Sequence, residues 1–224
     1  MIRFSFLWLA CGLLLLSCGS DEQPAGTKPS VDNANKNQLP QPASTETTKD
    51  DNVEQSLNAL EKRHALVPSD PALAYDLAYA YAEAKNAKAV TLADSLIKAK
   101  TQEIEKAFYI KADYYSRVNS VKEALTNYDA AIAANLHFLD AQIDKGRLLY
   151  KQKQYAEALK AFAIGQKLSP AEPMFYFWIA KTQEGTGNKT DAKANYERAY
   201  ALDKTLTEAR EAAVRLESAV GNRQ

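Results

Sequence analysis

Cysteine is almost missing from this chain: Cys11 and Cys18 are the two in 224 residues, and both fall among the first eighteen. The rest of the sequence can therefore form no disulfide framework, thiolate metal cage or cysteine nucleophile. Histidine is as scarce. His64 and His137 stand alone, without a second His or a Cys beside them, and are read as solvated surface groups. The HExxH, GxSxG, GxGxxG and GxxxxGK[ST] patterns are absent, so the residues suggest no enzyme, metal or cofactor. With 8 glycines and 8 prolines the chain is poor in turn formers, which argues against an all-β design. Lys and Arg balance Asp and Glu at no net charge, which removes the basic footprint nucleic-acid binding requires. The longest apolar run, Phe4 to Leu16, spans only about 20 Å as a helix, too short for a hydrocarbon core of about 30 Å.

That short run does have a use. Arg3 precedes it, and it ends in Leu15-Leu16-Ser17-Cys18. A basic residue, an apolar stretch and a small-residue end are the build of a secretory signal. The last four residues resemble the lipobox of bacterial lipoproteins. The resemblance implies removal of 1–17 and lipidation of Cys18 as the first mature residue, with a membrane as one partner. It further implies a bacterial cell envelope location. Gly19 after the cysteine favours the outer membrane, and Ser20-Asp21-Glu22 resembles a surface-export signal, so either the periplasmic or the outer face is expected. From Gly19 to Asp51 the sequence is mostly Pro, Thr, Ser, Asn, Gln and charge, with Val31 and Leu39 as its large apolar exceptions. Such a composition predicts a disordered tether with a reach of roughly 30 Å.

From 52 to 220 the pattern becomes helical and repeats. Ala112, Gly146 and Ala180 recur at 34-residue spacing, as do Ala124, Ala158 and Ala192, then Tyr128, Phe162 and Tyr196, then Ala131, Gly165 and Ala199. A fixed period of this size marks stacked supersecondary units. These columns, with Phe108, Tyr115, Pro170 and Tyr176, resemble the tetratricopeptide repeat. The resemblance implies an all-α fold, a right-handed α-solenoid of helix–turn–helix repeats with capping helices at both ends. Units are expected near 71–104, 105–138, 139–172 and 173–206. Their helix pairs are expected near 105–117/120–134, 139–151/154–168 and 172–185/188–202. An orphan second helix at 52–67, carrying Val53, Leu57, Leu60 and Leu66, should cover one end, and a helix at 205–220 the other. Asp70-Pro71 offers an N-cap and a proline at the first helical position. The partner helix near 87–100 fits only after a one-residue shift, which places Ala89, Ala93 and Leu96 at the packed positions. Lys111 and Lys145 occupy a position often held by Leu, where the stem can pack while the amine reaches water.

In this family the first helix of each pair lines the concave surface, and the resemblance implies a protein or peptide partner there. Read onto this sequence, the candidate groove residues are Tyr75, Tyr79, Tyr109, Ile143, Arg147, Tyr150, Phe177, Trp178 and Lys181, with Arg117 and Lys151 at the rim. Tyr75, Tyr109, Ile143 and Phe177 form a ladder at strict spacing that either faces the groove or packs successive first helices together. The expected function is a membrane-anchored interaction scaffold. The alternative is a binder of a small solute or glycan in a pocket under Tyr75, Tyr109 and Phe177. Asp140 and Asp144, one turn apart, are read as an ordinary charged helix face.

Overall fold

The computed structural model describes residues 49–221, with side chains for 54–218. The signal-peptide and Cys18 expectations and the tether up to residue 48 lie outside the described residues; the last three tether residues, 49–51, are instead the start of the first helix. Within the described residues the chain is ten helices and no strand. The first, α1 (Lys49–Leu66), is followed by four hairpins. These are α2 (Pro71–Glu83) with α3 (Lys88–Lys98), and α4 (Ile104–Arg117) with α5 (Val121–Ala134). Then come α6 (Leu139–Lys151) with α7 (Tyr155–Leu168), and α8 (Pro173–Gly185) with α9 (Lys189–Leu202). A final helix, α10 (Thr207–Gly221), closes the row.

Local chemistry sets these boundaries. The Asp70 carboxylate accepts from the backbone N–H of Ala72 and Leu73, and Pro71 starts α2 where no N–H is needed. Glu172 and Pro173 repeat the device at α8, with Met174 N–H donating to the Glu172 carboxylate. Each hairpin turns through one motif. A left-handed residue follows the first helix at Lys85, Asn119, Lys153 and Gly187, again at 34-residue spacing. Its N–H and the next one donate to two carbonyls of the last turn, as from Lys153 to Tyr150 and from Gln154 to Leu149. This satisfies carbonyls that the helix end leaves open. Three of the four positions carry a steric cost for their Cβ that glycine avoids. Lys153→Gly is therefore expected to raise stability by about 0.5–1 kcal/mol, read as a higher denaturant midpoint. An unchanged or lower midpoint would refute the strain.

The first hairpin is irregular in the expected way. Its second helix has 11 residues against 14 in the others, and buries Ala89, Ala93 and Leu96. The shift turns Asp94 outward, where it accepts from Lys111 Nζ at 2.7 Å. Lys145 reaches back to Asp129 in the same manner, at 2.5 Å. Both lysines thus tie the first helix of one unit to the second helix of the unit before it.

The small-residue columns are closed to solvent: Ala112, Ala124, Ala131, Ala158, Ala180, Ala192 and Ala199 have no exposed surface. Two glycines mark closer approaches still. A Cβ on Gly146 would overlap the Phe162 ring, and one on Gly165 would overlap Phe175. Both rings are fully buried. At the ends, Leu57 and Leu60 of α1 pack on α2 and α3, and Glu61 accepts from Tyr81 and Lys88. Those bonds, Tyr81's above all, hold the Glu61 carboxyl below its ordinary range. Leu66, expected to pack, is 82% exposed, because the helix ends there and turns toward Pro71. At the other end Ala209, Ala213 and Leu216 of α10 cover Phe177 and Tyr196, while Val214 faces solvent.

Candidate functional site

The first helices of the hairpins stand side by side, so their inner faces form one surface. Residues 34 apart repeat along it, and the spacing brings Tyr79 of α2, Asp113 of α4 and Arg147 of α6 into one cleft. The cleft measures about 440 Å³ and is also lined by Tyr109, Ser116, Arg117, Asp144, Lys151 and, from α5, Tyr128. Three ion pairs organise it, the longest between Arg117 Nη2 and Glu83 Oε1 at 4.0 Å. Arg117 Nε donates to Asp113 Oδ2 at 2.7 Å, one turn back on the same helix. Arg147 Nη1 donates to Asp144 Oδ1 at 2.7 Å. The Tyr109 hydroxyl donates to the other oxygen of Asp144 at 2.6 Å and so links α4 to α6.

Burial dominates the electrostatics. It pushes the Asp113 carboxyl above its ordinary value although the Arg117 guanidinium opposes the rise. Burial, reinforced by the Asp144 charge, also drives the Tyr109 and Tyr128 hydroxyls far up, so both stay protonated as donors.

Beyond Arg147 the surface becomes an aromatic platform. Its guanidinium lies 5.2 Å from the Trp178 ring centre, and Lys181 Nζ lies 5.3 Å from that ring and 5.1 Å from Phe177. Cations so placed are attracted by the ring quadrupole. Tyr150 meets Trp178 edge-on at 5.7 Å, and Phe162 stacks beneath it at 6.1 Å and 16°. The indole Nε1 is buried and has no hydrogen-bond partner among the described residues. Lys181 continues to Glu208 and Glu184 to Arg215, so the row of charges runs on to α10.

The nine sequence-nominated residues divide by depth. Tyr79, Arg147, Tyr150, Trp178 and Lys181 lie along the groove, with Tyr79 39% exposed. Tyr75 belongs to the core, its hydroxyl bonded to Thr101 and donating to the Glu103 carbonyl. Phe177 is equally buried, against Tyr196 and α10. Ile143 is half-buried and packs on α7 and α8. Tyr109 serves both sides: its ring meets Tyr128 and Phe138 while its hydroxyl reaches the cleft. Tyr75, Tyr109 and Phe177 share no cavity among the described residues. Tyr75 and Phe177 sit in separate core clusters, so the pocket imagined under all three is not formed. Asp144 is not a spare surface charge; it anchors both Arg147 and Tyr109. The i,i+3 spacing to Arg147 was a readable signal for half of that role. Among the described residues no His, Cys, Asp or Glu trio could hold a metal ion. His137 is exposed, but His64 is half-buried beside a hollow with Ser69 and Asp70.

Residues 109–173 match the family model described as Tetratricopeptide repeat. A curated relative, the Protein SGT1 homolog of Bos taurus, is 32% identical over 120 residues, or 47% of this chain and 36% of that protein. The chain thus spans little more than a third of that relative's length. Among solved structures, a thermophilic TPR protein of Thermus thermophilus superposes with a TM-score of 0.59 at 19% identity, over 75% of this chain and 90% of that one. MamA gives 0.56 at 17% identity, over 76% and 99%. YrrB, described as a TPR protein with an unusual peptide-binding site, gives 0.53 at 20%, over 72% and 83%. At these identities the superpositions establish the fold alone: the described helices form a tetratricopeptide solenoid.

Proposed function

We propose that this solenoid of tetratricopeptide repeats is an adaptor, holding an extended segment of another protein in the groove of its first helices. The observation that carries the reading is the run of aromatic and cationic side chains from exposed Tyr79 and Arg147 to half-buried Tyr150, Trp178 and Lys181. Tyr, Trp and Arg supply much of the binding energy at protein interfaces. A fold that supports protein–protein scaffolding and the peptide-binding site named for YrrB point the same way. No catalytic role is proposed. We further propose that the adaptor is anchored by a lipidated Cys18 in a bacterial envelope, at the outer membrane. The support for this is the Leu15-Leu16-Ser17-Cys18 sequence.

Site-specific photocrosslinking in intact cells tests the groove. A crosslinker at position 79 is expected to trap a discrete partner, while one at position 164, exposed on the second helix α7, is not. Adducts at 164 but not at 79 would move the interface elsewhere. The anchor is tested separately: Cys18→Ala should abolish incorporation of a labelled fatty acid and release the chain from membranes. Retained label would refute lipidation at that residue.

A further inference from the structure

Resting on the groove reading above, we infer that the segment it receives is proline-rich, held by its backbone carbonyls and its rings. Charge gives the cleft no preference. Arg117, Arg147 and Lys151 stand against Asp113, Asp144 and Glu83, three cations to three carboxylates. What does not balance is hydrogen-bonding capacity. Both oxygens of Asp144 are taken, by Tyr109 and Arg147, and the Asp113 side chain is only 12% exposed. Glu83 is left as an open acceptor at the rim. Donors remain in larger number. Arg117 spends only Nε and Arg147 only Nη1 in hydrogen bonds, and Lys151 forms no ion pair with any described residue. The Tyr79 hydroxyl bonds to no described residue either, and partial burial holds it above its ordinary range, so it stays protonated.

A surface rich in donors and short of acceptors suits a guest with the opposite surplus. An ordinary extended segment brings an N–H for every carbonyl, so half of its backbone groups would face donors. Proline has no N–H, and a proline-rich chain in its extended left-handed helix leaves its carbonyls free of internal bonds. The rings then need apolar seats, and the groove supplies them on both sides of the cleft. Tyr79 is 39% exposed on one side. On the other, the half-buried rings of Tyr150 and Trp178 meet at 65°, an angled wall for a pyrrolidine ring. Such a helix is ordered before it binds, so docking on aromatic walls costs it little entropy. An acidic segment meets one carboxylate for every cation, and a basic one the reverse, so neither is preferred.

The test uses the full chain and dye-labelled decaproline, acetylated and amidated so that no terminal charge contributes. Glutamine, glutamate and lysine peptides of the same length serve as probes of the other chemistries. Anisotropy is expected to show binding of decaproline alone, nearly unchanged by added salt because the guest carries no charge. Tyr79→Ala should weaken it about tenfold. Tyr79→Phe, which keeps the ring and loses the donor, should weaken it about threefold. Tyr79 is exposed and bonds to no described residue, so both variants keep the helix packing intact. Equal binding of the glutamine peptide, preference for the glutamate or lysine peptide, or no loss in either variant would overturn the inference. So would failure of decaproline to bind. If crosslinks at position 79 persist in that case, the groove stands and only its preference for proline falls.

Discussion

Replacing Phe162 with alanine is expected to lower stability by about 3–5 kcal/mol and to lower the melting temperature accordingly. The ring has no exposed surface, fills the gap left by the missing side chain of Gly146, and supports the Trp178 indole from below. Its loss opens a cavity at the crossing of α6 and α7, where close-packed neighbours can collapse only in part. The cavity should also be partly refillable. In the parent a Cβ at residue 146 overlaps Phe162, so Gly146→Ala alone should destabilise. In the Phe162→Ala background the overlap is gone, and the same change gains helix propensity of about 1 kcal/mol. A double-mutant cycle should therefore show Gly146→Ala reversing its sign. Additive effects would mean that the two residues do not share the space.

Arg117→Leu is expected to cost about 3 kcal/mol at neutral pH, because it leaves Asp113 charged and without its bonded partner in a largely enclosed position. The pH dependence identifies the cause. Burial raises the folded-state pKa of Asp113 above its ordinary 3.8. As pH falls from neutral, the folded chain takes up this proton before the unfolded chain does, and stability rises from this group. The contribution is complete below 3.8 and is lost again as pH rises through the folded value. Arg117→Leu should enlarge this acid-side gain, and Asp113→Asn should abolish it in either background. Glu61 and Glu184 act in the opposite direction. Their folded values lie below the ordinary 4.5, so their contributions are lost only as pH falls past that range. An Arg117→Leu melting temperature that runs parallel to the parent from neutral pH to about pH 5 would exclude the mechanism.

Much of the fold was legible because helix packing imposes one residue size at one spacing. The alanine and glycine columns set the period, and Pro71 and Pro173 set two helix starts. Even the offset second helix of the first hairpin could be read, since a one-residue shift places Ala89, Ala93 and Leu96 at the small and packed positions. The depth of the Tyr75, Tyr109, Ile143 and Phe177 ladder could not. Those four share one repeat position, yet their exposure depends on what lies beside them. Tyr75 finds Thr101 and Glu103 in the irregular turn before α4, and Phe177 is covered by α10. The link from Tyr109 to Asp144 was hidden for a similar reason. It joins residues 35 apart, and its geometry depends on how one hairpin is rotated on the next.

Hairpin order is also a matter of shape. Where α7 meets α8, Gly165 admits the Phe175 ring, while the equivalent pairs elsewhere are Ala131 with Ala141 and Ala199 with Ala209. Shuffling the second and third units would leave alanine facing phenylalanine at one junction and glycine facing alanine at another, a collision and a vacancy. Chains of near-identical modules are prone to misordered docking and exchange between copies. One large ring opposite one absent side chain makes the third junction unlike its neighbours, and so opposes wrong pairings during folding.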